Sequence, residues 1–233
     1  MILSGAIVNA GAVLIGGIVG SLLKNGISER LNKTLTQGLG LCVLYVGISG
    51  SLKGENIIIA ILSVVIGCFI GEKMDLDNKF EKFGTKLMSR ISKQEDSAHF
   101  AEGFINCTLF VCVGAMAIVG SLQSGLAGNH EVLYSKSLID AAAVLVMAAA
   151  FGVSTCFAAL PVLLYESILT LSARAISPYL SDSMMNEMTC VGSLLIIAIS
   201  LNMLKLTDIK IANFLPAPFL PIFIMLVLQL LPF

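Results

Sequence analysis

The chain repeatedly runs for about 20 residues with hardly a charge, the length a helix needs to cross a bilayer. MILSGAIVNAGAVLIGGIVGSLL opens it at 1–23, FINCTLFVCVGAMAIVGSL lies at 104–122, and VGSLLIIAISLNML at 191–204. Water is absent from the hydrocarbon core, so every backbone N–H and C=O must be paired within the segment, and a helix does this. The pattern predicts eight spans: 2–23, 34–52, 56–72, 100–122, 138–154, 157–173, 188–204 and 213–232. The expected fold is all-α, a polytopic transmembrane helical bundle of seven or eight spans forming one domain over 1–233. Composition agrees. Only 12% of the residues are charged and mean hydropathy is +0.94, against about 25% charged in soluble domains.

The fifth and sixth spans come from one stretch, SLIDAAAVLVMAAAFGVSTCFAALPVLLYESILTLSA at 137–173. It is too long for one crossing. Gly152-Val153-Ser154-Thr155 and Pro161 mark where it turns or kinks, giving two crossings or a pair of short re-entrant helices. The N-terminal run has no basic residue before it and is too long for a signal-peptide core, so it reads as a retained span.

Lysine and arginine set the orientation. The connections at 24–33, 73–93 and 205–210 fall on one side of an eight-span path and hold eleven basic residues; Lys53, Lys136 and Arg174 are the three on the other. The basic side is the cytoplasmic one, with both termini outside. The 73–93 connection has Leu76, Phe80, Phe83, Leu87 and Ile91 on one helical face and Lys79, Lys82, Lys86, Arg90 and Lys93 on its neighbour. It reads as a basic amphipathic helix, either lying on an anionic leaflet or packed on the rest of the protein. Net charge is −1, which gives no field to attract nucleic acid.

Small residues recur inside the apolar runs. Cys42-Val43 with Gly47-Ile48-Ser49-Gly50-Ser51-Leu52 matches Cys112-Val113 with Ala117-Ile118-Val119-Gly120-Ser121-Leu122 at a constant offset of 70. An internal repeat of the kind found in transporters is one reading. Chance matching of small apolar residues is the other. Gly114, Gly120 and Ser121 either allow close helix packing or expose backbone along a cavity, and Pro161 either kinks its helix or frees a carbonyl.

Ionisable groups inside spans cost roughly 2.5–3.5 kcal/mol each on insertion scales, so they point to function. Glu166 sits deepest. Asp140 opens the fifth span and Glu102 the fourth. Asn9, Asn106, Gln123, Asn202 and Asn213 add uncharged hydrogen-bonding groups; an amide in a span either bonds a neighbouring helix or lines a path. The six cysteines form no CxxC or Cys/His cluster, so neither disulfide nor metal site is expected, and no cofactor. HExxH, GxSxG, Walker A and dinucleotide motifs are missing, so no enzyme activity is expected.

AEGFINCTLFVCVGAMAIVGSLQSGLAGNHEVLYSKSLIDA at 101–141 resembles the central signature of domain-of-unknown-function family 554, the YqgA-like bacterial integral membrane proteins. LPVLLYESILTLSA at 160–173, MMNEMTCVGSLLIIAISLNML at 184–204 and KIANFLPA at 210–217 extend the likeness, as do GAIVNAGAVLIGGIVGSLL at 5–23 and GEKMDLDNKFEKFG at 71–84. The resemblance implies a multi-pass protein of the bacterial cell (inner) membrane and no particular activity. Its motif positions map onto Glu102, Gly114, Gly120, Ser121, Gln123, Asp140, Pro161, Asn202 and Asn213. At Glu166 the chain departs from an expected glutamine, which shifts weight to Glu102 and Asp140.

Together these features predict a transporter or channel for a small ion or solute. Glu102, Asp140 and Glu166 would carry a proton or cation. The rival is a non-transporting scaffold, sensor or assembly protein. Expected partners are the bilayer, the ion or solute, and a second copy of the chain, with no nucleic acid.

Overall fold

The computed structural model describes residues 2–24, 29–80, 82, 97–112 and 115–230, and among them there is no strand. The helices are α1 (Ser4–Lys24), α2 (Glu29–Ser51), α3 (Ile57–Lys73), α4 (Ser97–Cys112), α5 (Ala115–Ala127), α6 (Glu131–Phe151), α7 (Ala159–Leu171), α8 (Ala173–Ile176), α9 (Asp182–Met203) and α10 (Leu220–Leu230). Polar residues start them where chemistry demands it. Asn56 caps α3 by accepting the Ile58 N–H, and Ser181 caps α9 by accepting the Met184 N–H.

Four helical stretches are long and apolar enough to cross a membrane: Ser4–Leu23, Glu131–Leu171, Asp182–Met203 and Ile211–Leu228. The segment expected at 100–122 is divided. α4 ends at Cys112, α5 begins at Ala115, and the two meet at a bend of 58°. The pair counts as a fifth stretch if it is one broken span. The matching sequence at 42–52 lies in α2, which is unbroken to Ser51. Gly114 lies outside the described residues, as does most of the basic helix expected over 73–93. The start of that helix is helical at 76–80, and Phe80 packs on Phe104 with ring centroids 6.2 Å apart.

The stretch from Glu131 to Leu171 is helical throughout, yet it folds back. Lys136 and Glu166 stand 3.6 Å apart; in a straight helix 30 residues would separate them by roughly 45 Å. The reversal is a 3₁₀ segment, Gly152–Ala158, entered at Gly152 with φ 78°. Only glycine takes that conformation without strain. Pro161 follows in the first turn of α7, where a proline is tolerated.

Small residues set the helix register. Along α1, Gly5 lies against Leu133, Gly16 against Ala141, and Gly20 against Leu145 and Ala148. Both numbers rise together, so α1 and α6 run parallel with their backbones nearly in contact. α2 and α9 run antiparallel: Gly40 meets Leu204, Gly47 meets Ile197, and Ser200 Oγ donates to the Gly40 carbonyl at 2.7 Å. α3 runs antiparallel to the chain before α10, with Gly67 against Ala217 and Gly71 against Asn213. Val13, Phe100, Val144, Met147, Val162 and Ile199 form the core. Ile15, Ile58, Val65, Phe69, Leu138 and Ile168 point outward, a surface suited to lipid.

Candidate functional site

The parallel pairing of α1 and α6, with α7 folded back beside them, brings four polar side chains together. Asn9, Lys136, Asp140 and Glu166 are 0%, 5%, 5% and 1% exposed. Lys136 and Asp140 are one turn apart on α6 and form an ion pair and hydrogen bond. Asn9 Nδ2 donates to Asp140 Oδ2 at 3.0 Å and to Glu166 Oε1 at 2.7 Å. Lys136 Nζ reaches the same two carboxylate oxygens. Two nitrogens thus bridge two oxygens in a closed set.

With every group ionised, one ammonium faces two carboxylates and one negative charge is left over. Two oxygens in the set, Asn9 Oδ1 and Glu166 Oε2, are buried and have no hydrogen-bond partner among the described residues. Burying unpaired charge in a dry interior costs several kcal/mol, so a set like this is suited to taking up one proton or one cation.

The residues expected to line a path fall into separate places. Asp140 and Glu166 are joined in the cluster. Glu102, Asn106 and Asn202 line an open cavity of about 560 Å³ together with Asp77, His99 and Asp208. Glu102 is half-exposed there, 3.8 Å from His99 Nδ1. Asn106 is buried, with Nδ2 unpartnered among the described residues. Gln123 is exposed on α5, so it faces away from both. Gly120 packs on Leu133, Ser121 is buried, and Pro161 borders an apolar cavity of about 210 Å³ with Tyr165 and Phe219.

Two expected path residues also brace the fold. Asn202 Nδ2 donates to the Ile209 carbonyl at 2.7 Å, while its Oδ1 accepts from Thr207 Oγ1 and the Ile209 N–H. Asn213 donates to Glu72 Oε2 at 2.5 Å and accepts the Asp77 N–H. Asn202→Ala is expected to lower stability by about 1–3 kcal/mol through the groups it leaves unpaired. Thermal unfolding of the variant checks this, and an unchanged midpoint would remove the bracing role. Glu187 braces in the same way. Its Oε1 accepts the Glu55 and Asn56 N–H groups at 2.7 and 2.6 Å. Glu55, fully exposed, accepts from Ser183 and Asn186, and those bonds hold its carboxyl below the ordinary range.

Sequence reading missed Lys136 as a site residue and counted it as an outer-loop charge, because the fifth span was started at 138. The helix begins at Glu131, and this carries Lys136 inside. The signal was available: Lys136 and Asp140 stand at i,i+4, the spacing of neighbours on one helix face. Asn9 was seen only as a generic span amide. Nothing local in the sequence pairs it with a residue 131 positions away.

The similarity to known proteins covers nearly the whole chain. Two relatives are each 28% identical. The Uncharacterized protein YqgA of Escherichia coli (strain K12) aligns over 216 residues, 91% of this chain and 92% of its own length. The Uncharacterized membrane protein YdfK of Bacillus subtilis (strain 168) aligns over 221 residues, 93% of each chain. No solved structure matches the chain. Residues 4–226 match the family described as Protein of unknown function (DUF554), and the chain belongs to that family.

Proposed function

We propose that the chain is a multi-pass transporter or channel of the bacterial cytoplasmic membrane for a small ion or solute, with the Asn9–Lys136–Asp140–Glu166 cluster on its path. The observation that carries this reading is the cluster itself. Four polar groups, three of them ionisable, are held in the helix packing between α1, α6 and α7. Ionisable residues inside membrane segments mark ion and proton paths, and the groove in which they meet is built by small residues.

The reading uses eight crossings. It is supported by the reversal at Gly152–Ala158, and by α1 running parallel to α6 while α2 runs antiparallel to α9. An eight-span path requires those directions. The similarity to a relative named a membrane protein adds to it. With Lys136 inside, only Lys53 and Arg174 remain on the side opposite the eleven basic residues. This strengthens the case for a basic cytoplasmic face.

Purified protein in proteoliposomes tests the proposal, with pH dyes and tracers for a panel of ions and small metabolites. Wild type is expected to conduct at least one of them. Asp140→Asn is expected to slow that flux by about tenfold or more, the effect of about 1.4 kcal/mol on the limiting step. Glu102→Gln, altering a half-exposed residue outside the cluster, is expected to have a smaller effect. No flux across the whole panel would overturn the proposal.

A further inference from the structure

Next to the cluster, two more buried oxygens have no hydrogen-bond partner among the described residues: Ser121 Oγ on α5 and Thr170 Oγ1 on α7. Their residues are 0% and 2% exposed. The packing of α5 on α7 fixes where they lie. A side chain at Gly125 would meet the Thr170 carbonyl and Ala173, while Ile118 and Leu122 pack with Tyr165 and Leu169 further back. The two helices therefore run in the same direction. One turn before Gly125 is Ser121, and one turn before Thr170 is Glu166. The register sets Ser121 beside Glu166.

The orientation of the Asn9 amide follows from its neighbours. Its nitrogen faces two carboxylate oxygens; turning the amide over would set its oxygen against both. Asn9 Oδ1 is therefore an acceptor with no partner among the described residues. Such groups are rare in buried positions and call for an unseen partner.

We infer that Glu166 Oε2, Asn9 Oδ1, Ser121 Oγ and Thr170 Oγ1 form a site for one monovalent metal cation of the alkali series. Oxygen donors from a carboxylate, an amide and hydroxyls are the chemistry of a hard cation. Charge selects the valence. Lys136, Asp140 and Glu166 together carry one excess negative charge, which a monovalent ion neutralises. A divalent ion would leave an excess positive charge among apolar helices, at a cost of several kcal/mol. A proton on Glu166 would neutralise the charge but would leave most of these oxygens without a partner. The inference deepens the transport reading, since it names the ion class, but binding can be measured without any flux.

Thermal unfolding of the detergent-purified full chain tests it. Choline chloride is replaced stepwise by sodium, potassium or lithium chloride at constant ionic strength and pH. The wild-type midpoint is expected to rise with at least one of these cations, as it does for any ligand that binds only the folded state. Ser121→Ala and Thr170→Val should each raise the half-saturating concentration about tenfold, and Glu166→Gln should abolish the response. Ser63→Ala, which removes a buried hydroxyl elsewhere on α3, should leave it unchanged. If Glu166→Gln does not fold, the two hydroxyl variants decide. No difference from choline would overturn the inference, as would an unchanged response in both hydroxyl variants. Cation binding without flux would uphold this site and overturn the transport reading. Flux without cation-dependent stability would do the reverse.

Discussion

Replacing Lys136 with methionine is expected to destabilise the folded protein by about 3–5 kcal/mol, the penalty for removing one partner of a buried ion pair. The side chain is matched in length, so little packing is lost. What changes is the charge. Asp140 and Glu166 then face each other across Asn9 with no ammonium between them. Thermal unfolding in detergent reads the effect directly. Lys136→Met combined with Asp140→Asn and Glu166→Gln should recover most of the lost stability, because a neutral set of similar shape is nearly equivalent to a paired one. Effects that simply add across the three substitutions would show that the groups do not act on one another.

The second large effect is expected at the contact between α1 and α6. A Cβ at Gly20 would fall on the Leu145 carbonyl oxygen and on Ala148. Backbone cannot move aside there without parting the two helices. Gly20→Val should therefore cost about 2–3 kcal/mol, as overpacking does, and should also disturb the cluster, since the same contact holds Asn9 near Asp140. Gly11, on the same helix, has nothing within 4 Å of such a Cβ. Gly11→Ala should be neutral or should gain up to about 1 kcal/mol of helix propensity. Unfolding midpoints of the two variants against wild type test the contrast. Equal sensitivity at both positions would show that α1 does not rely on close approach to α6.

These residues also show what the sequence could and could not reveal. The apolar runs exposed the helices, because spanning a bilayer requires a length and a polarity that one segment displays by itself. The turn near Gly152 was legible for the same reason: a single glycine and a nearby proline announce it locally. The cluster was half legible. Asp140 and Glu166 stood out as charges in oily surroundings, while Asn9 did not, since its role depends on which helix lies beside it. Asn202 both lines the open cavity and braces a turn, and the sequence could not separate the two roles, because an amide bracing a turn and an amide lining a cavity are the same letter. The bend between Cys112 and Ala115 was not anticipated, because the apolar pattern continues across it.

The pairing of α1 with α6 and α7 has a consequence for the order of assembly. Asn9 belongs to α1, and its partner Glu166 follows 157 residues later. At roughly 5–20 residues per second the ribosome needs about 8–30 s to cover that distance. Asp140 comes first, 131 residues after Asn9, and until then the buried amide of α1 has neither of its carboxylate partners. α1 must keep its place beside the growing chain until α6 and α7 arrive. The cluster can close once residue 166 is made, whereas the contacts of α2 with α9 and of α3 with Asn213 and Ala217 must wait for later residues, and a chain interrupted before residue 166 cannot complete the set that α1 begins.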